Sequence, residues 1–301
     1  MDAGVPDLGL FSDQPGQFPF RLTHEDRFQY RVKVQPVAGQ LEFSIRAVDT
    51  RLAANAAKRA FEGYPKRVGP APETDREDNI RKAIWRAKAK VKLLAMECRV
   101  DRLLTFTIRK VGEACMEYET LLKAWDIFRR MAARADKNFH YVAAPEVQKN
   151  GQFHIHAGVH GFINVKNYTR MWQIALNRVQ GRSQSLYMGE DSPGTCNVTK
   201  RLTGSQCGKS KNIAKYIAKY IGKALESGFG RKSYFHTIGI VVTPAKAQWL
   251  EAQNRDDAYL EVVQKFDLVH ALMADCIQVW NRDGCSAWFT VPAKFSQPPP
   301  F

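Results

Sequence analysis

Val142 to Phe162 reads VAAPEVQKNGQFHIHAGVHGF and puts His154, His156 and His160 within seven residues. Successive side chains of a strand point to opposite faces. His154 and His156, with His160 further along, therefore share one face, and Phe153 and Ile155 take the other. Two neutral imidazoles on one face are a natural pair of metal ligands; a lone histidine in such a strand is more often structural. The nearby acid is Glu146, and register decides whether it reaches. A two-residue loop, Asn150-Gly151, sets Ile155 opposite Glu146 and turns the carboxylate away. A three-residue loop, Lys149-Asn150-Gly151, sets His154 opposite Glu146 and gathers all three on one face. Such loops commonly end in a left-handed residue at a bulge, which glycine supplies. A one-residue slip would exchange the faces. The expectation is the three-residue loop, with Glu146, His154 and His156 as ligands. Gln148 falls on the same face as a reserve ligand, and His160 is read as a supporting or structural residue. Two histidines and a carboxylate also describe non-haem iron oxygenases, so the histidines alone leave the chemistry open.

A second group lies in KYIAKYIGK, Lys215 to Lys223. On a helix, residues four apart are neighbours, so Tyr216 and Tyr220 stack on one face. Lys219 and Lys223 each follow a tyrosine by three residues, which places an ammonium one turn away. Ile213, Ile217 and Ile221 are expected to form an opposite, buried stripe. A tyrosine hydroxyl can attack a phosphodiester if its proton is removed and the phosphate is polarised. A lysine lowers the cost of the phenolate, and a divalent metal withdraws charge from the phosphoryl oxygens. The two groups of residues therefore complete one another chemically.

The elements that must hold these residues can be traced along the 301-residue chain. FQYRVKV and LEFSIRAV flank QPVAGQ and suggest a hairpin; the rest of the first 75 or so residues is hard to read. Tyr64–Asp75, rich in proline and charge, reads as a linker. A basic helix runs from Asn79 to about Cys98, with apolar positions that include Ile84, Trp85, Val91, Leu93 and Leu94. Arg102–Arg109 is a strand by its β-branched and aromatic content. Thr120–Ala135 has helical spacing, and two strands joined by the Asn-Gly turn follow. Next come a helix near Asn167–Val179, a short strand near Thr195–Leu202, a helix at Lys211–Leu225 and a strand in SYFHTIGIVV. The last 55 or so residues read as helix, then a strand pair, then a proline-rich tail. The tight hairpin makes at least two central strands antiparallel, which favours α+β over a doubly wound fold.

Charge points to the partner. There are 45 Lys+Arg against 30 Asp+Glu, a formal net charge of +15, which favours a polyanion such as nucleic acid. Arg81–Lys92 holds six basic residues and no acid, and Thr199–Lys232 holds nine with one acid, Glu226. Such clusters suit a groove for a phosphate backbone, and Arg81, Lys82, Arg86, Lys88, Lys200, Arg201, Lys209, Lys211 and Lys215 are the expected contacts. GSQCGKS (Gly204–Ser210) is one residue too short between its glycines for a nucleotide-binding phosphate loop. None of the six cysteines lies in a C-x-x-C pair, against a zinc ribbon. Neither a signal peptide nor an apolar run of membrane-spanning length stands out, so a cytoplasmic protein with reduced thiols is expected.

Three motifs in order resemble the HUH endonucleases, in particular the two-tyrosine rolling-circle replication initiators of small phages and plasmids. LLTFTI (Leu103–Ile108) resembles the first motif, a strand beside the site; HIH (His154–His156) resembles the histidine motif; YIAKYIGK (Tyr216–Lys223) resembles the tyrosine motif. The resemblance spans about residues 78–245. It implies a ferredoxin-like (RRM-like) antiparallel sheet with the histidines on a central strand, and Mg²⁺ or Mn²⁺ as the metal. It also implies a nick in single-stranded or hairpin origin DNA, through a 5′-phosphotyrosine bond that leaves a 3′-OH for a host polymerase. With no room for a helicase domain, a host helicase and single-strand binding protein become expected partners. The implied organisation is an N-terminal extension (1–77), a catalytic domain (78–245) and a C-terminal extension (246–301). A two-tyrosine transposase of related chemistry, or a non-catalytic DNA-binding regulator on the same fold, fits the same motifs.

Overall fold

The computed structural model describes residues 28–62, 73–109, 117–148, 151–161, 164–181, 192–198, 205–226, 233–273, 278–283 and 286–293. Two compact units emerge: Pro70–Val242, and a second built from both flanks, Met1–Gly69 with Thr243–Phe301.

The chain enters the flanking unit through β1 (Phe28–Val37) and β2 (Gln40–Asp49). Ala38 and Gly39 join them, both with positive φ (50° and 75°), the backbone of the type I′ turn whose twist suits a hairpin. Asp49 Oδ1 accepts the amides of Arg51 and Leu52 and starts α1 (Thr50–Glu62). The central unit then runs α2 (Glu73–Glu97), β3 (Arg102–Ile108), α3 (Tyr118–Ala135), β4 (Tyr141–Val147), β5 (Phe153–Val159), α4 (Val165–Val179), β6 (Gly194–Val198), α5 (Gln206–Glu226) and β7 (Phe235–His236). The chain returns to the flanking unit with β8 (Lys246–Trp249), α6 (Arg255–Lys265), α7 (Val269–Met273), β9 (Gln278–Asp283) and β10 (Ser286–Pro292).

The fold is α+β, and each unit holds a five-stranded, wholly antiparallel sheet. The central order is β6-β3-β5-β4-β7. Its β3-α3-β4-β5-α4-β6 elements make the split βαβ arrangement of a ferredoxin-like sheet, with β5 inserted between β3 and β4. Alternation sorts the strands' side chains. Leu104, Phe106, Ile108, Phe153, Ile155 and Ala157 pack on Leu121, Trp125 and Phe128 of α3 and Trp172 of α4. The Trp172 indole N–H donates to the Thr107 carbonyl at 2.8 Å. The opposite face turns Leu103, Val142 and Ala144 toward Val91 and Leu94 of α2 and Ile213, Ile217 and Ile221 of α5.

The flanking sheet has the order β8-β1-β2-β10-β9. Val32, Val34, Phe43, Ile45 and Phe289 form its core with Val262 and Phe266, and the Phe43 and Phe289 rings stack at 4.8 Å. Residues near position 30 thus share a sheet with residues near 248 and 288.

Several sequence expectations change. Trp85 is not a core position of its helix, being 65% exposed. α5 begins at Gln206, five residues before the expected Lys211. The strand expected over SYFHTIGIVV shrinks to Phe235–His236, which pairs with Ala143 and Val142 of β4; Gly239, with φ of 90°, turns the chain beyond it. The helix α1 falls in a stretch for which no helix was expected. The linker expected at Tyr64–Asp75 lies mostly outside the described residues. Cys98 and Cys196 are free and buried, and burial pushes both thiols up to about 12.

Candidate metal and tyrosine site

The β4–β5 hairpin fixes the first half of the site. Glu146 pairs opposite His154, the register of the three-residue loop. The Gln148 N–H donates to the Gln152 carbonyl at 2.8 Å and the Gly151 N–H to the Gln148 carbonyl at 2.9 Å. Gly151 has φ of 80°, which suits a residue without Cβ. Lys149 and Asn150 themselves lie outside the described residues.

One nitrogen each from His154 and His156 and one Glu146 oxygen lie within 4.8 Å of one another. His156 is 4% exposed, and its two ring nitrogens have different partners. Nε2 lies 2.8 Å from Glu146 Oε2, and Nδ1 lies 3.2 Å from the Thr105 hydroxyl, which stands opposite His156 on β3. With the proton on Nε2, His156 donates to Glu146 and Thr105 donates to Nδ1; with the proton on Nδ1, His156 donates to Thr105 and Nε2 is left as an electron-pair donor. The Gln148 side-chain amide lies 3.2 Å from His154 Nδ1 and can present nitrogen or oxygen, so it meets either tautomer. Burial first, then the neighbouring His156, holds the His154 pKa below its ordinary value, against the pull of Glu146. A neutral imidazole is the form that binds a cation. Two imidazoles and a carboxylate converging on one point suit a divalent cation.

Helix α5 supplies the second half. Tyr220 is 9% exposed, and its ring stacks on that of His156 at 4.2 Å and 15°. The half-buried Tyr216 meets His156 edge-on at 5.4 Å and Tyr220 at 5.3 Å. The expected division of α5 into an isoleucine face and an opposite tyrosine face is thereby corrected. Residues 213, 216, 217, 220 and 221 lie along adjacent helical rows, and all of them approach the sheet. Burial, a hydrogen bond with the Tyr216 hydroxyl and the negative Glu146 together raise the Tyr220 pKa.

The close seat of α5 depends on Gly158, two residues beyond His156 on the same face. A Cβ there would lie 2.7 Å from Ile213 Cγ2 and 3.3 Å from Ile217 Cδ1. The bare strand lets these isoleucines down onto the sheet and brings the next turns of the helix over His156. Thr105 and Gly158 were not singled out in the sequence. The signal was present: Thr105 alternates with the core residues Leu104 and Phe106, and Gly158 is at i+2 from His156.

The other candidate residues divide. Lys219 lies on α5, and its ammonium is 5.8 Å from the Tyr216 ring centre. Lys223 belongs to α5, but its side chain is outside the described residues, as are Lys200 and Arg201. His160 is not brought to the cluster. It follows the end of β5, and its Nδ1 lies 2.8 Å from the Arg99 carbonyl. Arg81, Lys82, Arg86 and Lys88 lie along α2, which packs beside α5, and Lys209, Lys211 and Lys215 lie on α5 itself. The GSQCGKS stretch does not form a phosphate loop among the described residues. Gln206–Ser210 opens α5, and the buried Ser210 hydroxyl donates to the Val100 carbonyl at 2.8 Å. No helix among the described residues is long and apolar enough to cross a membrane.

Residues 101–225 match the family model described as Replication-associated protein ORF2. The matched span runs from just before β3 into the last turn of α5, and so contains Thr105, Glu146, both histidines and both tyrosines. Comparison with curated proteins and with solved structures finds no match.

Proposed function

We propose that this chain is a metal-dependent nickase and strand transferase that starts rolling-circle replication on single-stranded or hairpin origin DNA. The observation that carries the reading is the packing of Tyr216 and Tyr220 against His156, inside a cluster able to hold a cation. The match to replication-associated proteins over the same residues supports it.

Glu146, His154 and His156 would hold Mg²⁺ or Mn²⁺, which would supply Lewis acidity to the phosphate. With the proton on Nδ1, His156 donates a hydrogen bond to the Thr105 hydroxyl and keeps Nε2 available; Gln148 orients His154 in the same way. A tyrosine hydroxyl loses its proton to base and its oxygen attacks phosphorus. The bond from phosphorus to the 3′-oxygen breaks, and that oxygen takes a proton to become a 3′-OH. The products are a 5′-phosphotyrosine and a primer end for a host polymerase. The reverse reaction, with a new 3′-OH, joins the displaced strand. Two tyrosines allow a second cut while the first remains bonded. Lys219 and Lys223 steady the phosphate or the phenolate, and the basic residues of α2 and α5 track the strand. Residues 78–245 carry the chemistry, and host helicase and single-strand binding protein open and cover the DNA.

The test is denaturing electrophoresis of the protein incubated with the origin strand and Mn²⁺, with and without EDTA. The expected result is a slower band that resists SDS, vanishes with EDTA and vanishes when Tyr216→Phe and Tyr220→Phe are combined. An adduct in that double variant, or none on the genuine origin strand, overturns the reading.

A further inference from the structure

The flanking unit carries a cationic and aromatic sheet face. Its sheet buries one face on α6 and α7. On the other face, neighbouring strands align Trp249, Arg31, Arg46 and Ser286 in one row, and Ala247, Lys33, Ser44 and Trp288 in the next. Trp280 stands at the following register position on β9. Arg31, Lys33 and Arg46 are exposed, and Trp249 and Trp288 are half-buried. The Arg31 guanidinium carbon lies 5.5 Å from the Trp249 ring centre, a cation–π contact that holds both side chains across the strands. Two acidic residues border these rows in the register, Glu42 and Asp283. Glu42 is 6% exposed in the next row, opposite Gln35, whose amide donates to the Thr243 carbonyl at 2.6 Å. Asp283 is on the edge strand, opposite Ser286.

A solvated face of an antiparallel sheet is ordinary, but it need not be cationic and aromatic together. Cations answer phosphates, and indole rings answer the faces of unstacked bases. A duplex presents phosphates but keeps its base faces inside, so the pairing of these two residue types favours a single strand. We infer that the open face of the flanking sheet, through Arg31, Lys33, Arg46, Trp249 and Trp288, binds single-stranded DNA outside the tyrosine site. That the polyanion is DNA rests on the nickase reading; the surface itself belongs to a different unit and uses none of the site residues.

The measurement is fluorescence anisotropy of a labelled oligothymidine with the full chain in EDTA, where no adduct forms. Combining Arg31→Glu, Lys33→Glu and Arg46→Glu is expected to weaken binding by at least about tenfold. The slope of log affinity against log salt should fall by about 2, at roughly 0.7 for each phosphate no longer neutralised. Trp249→Ala should weaken binding by at least about fivefold, the low end for a base stacked on an aromatic ring. Thermal melts establish that each variant is folded, and the Gln versions of the three cations replace the Glu versions if reversal unfolds the unit. Unchanged affinity in either folded variant overturns the inference. So does a duplex that binds as tightly as the single strand and loses affinity in the same variants. The adduct assay separates the two readings. Adducts with unchanged oligothymidine binding remove this surface and keep the nickase; reduced binding with no adduct in any form does the reverse.

Discussion

Thr105 and Phe106 are neighbours on β3 and face opposite layers of the central unit. Around Phe106 stand three rings: Trp125 at 5.4 Å, Phe128 at 4.6 Å and Trp172 at 5.4 Å. Thr105 meets His156, and around that ring lie Glu146 and the two tyrosines. The first face makes stability from apolar burial, which is non-directional. The second holds polar groups out of water and depends on every partner being in place. The same strands serve both, so the aromatic layer fixes backbone positions that the polar layer needs but cannot itself enforce.

That division can be broken by experiment. The largest effect belongs to the polar face. His156→Ala removes a ligand and the ring beneath Tyr220, and adduct formation should fall by at least about a thousandfold, the equivalent of several kcal/mol of lost charge stabilisation. The melting temperature in EDTA should fall by less than in Phe106→Ala; an equal or larger drop would mean that the histidine is chiefly a stability residue. Phe106→Ala is the converse. It should cost about 3–5 kcal/mol of unfolding free energy in urea titration, while calorimetric Mn²⁺ affinity of the folded protein stays unchanged. Weaker Mn²⁺ binding there would show that the two layers are not separable. Gly158→Ala adds a methyl group between β5 and α5 and should cost about 1–3 kcal/mol as overpacking, with slower adduct formation at intact Mn²⁺ affinity. Thr105→Val keeps the shape and removes the hydroxyl. It should lower Mn²⁺ affinity about tenfold by releasing the His156 ring, with the melting temperature in EDTA nearly constant.

The polar face could be read from sequence to an unusual depth, because its geometry is local. Glu146, Gly151 and His154 lie within one hairpin, and the need for positive φ at Gly151 selects the loop, which selects the register. Ferredoxin-like order, likewise, followed from motifs arranged as in a family of that fold. Other features depend on contacts distant in sequence. Nothing near Val32 announces that its strand lies between β2 and β8, with Ile45 and Gln248 as its partners, so the sheet that the two flanks share is not legible in the sequence. The tyrosine face of α5 was misjudged because helical spacing gives neighbours on a cylinder but not which arc of it meets the sheet. Trp85 shows the same gap from the other side: a large apolar residue at a plausible position that is exposed. The strand expected over SYFHTIGIVV holds only at Phe235–His236, because its length is set by pairing with the distant Val142 and Ala143.

Gly158 bears on how such a site should be surveyed. A scan that replaces residues by alanine assumes that every replacement subtracts. At this position alanine is the addition, and it falls in the contact that sets how deep α5 can sit. A survey by subtraction would score the effect as loss of a functional group where there is none. What Gly158 contributes is clearance. The informative series there runs upward in size, from glycine to alanine to serine, and its readout is the distance between two tyrosines and a histidine.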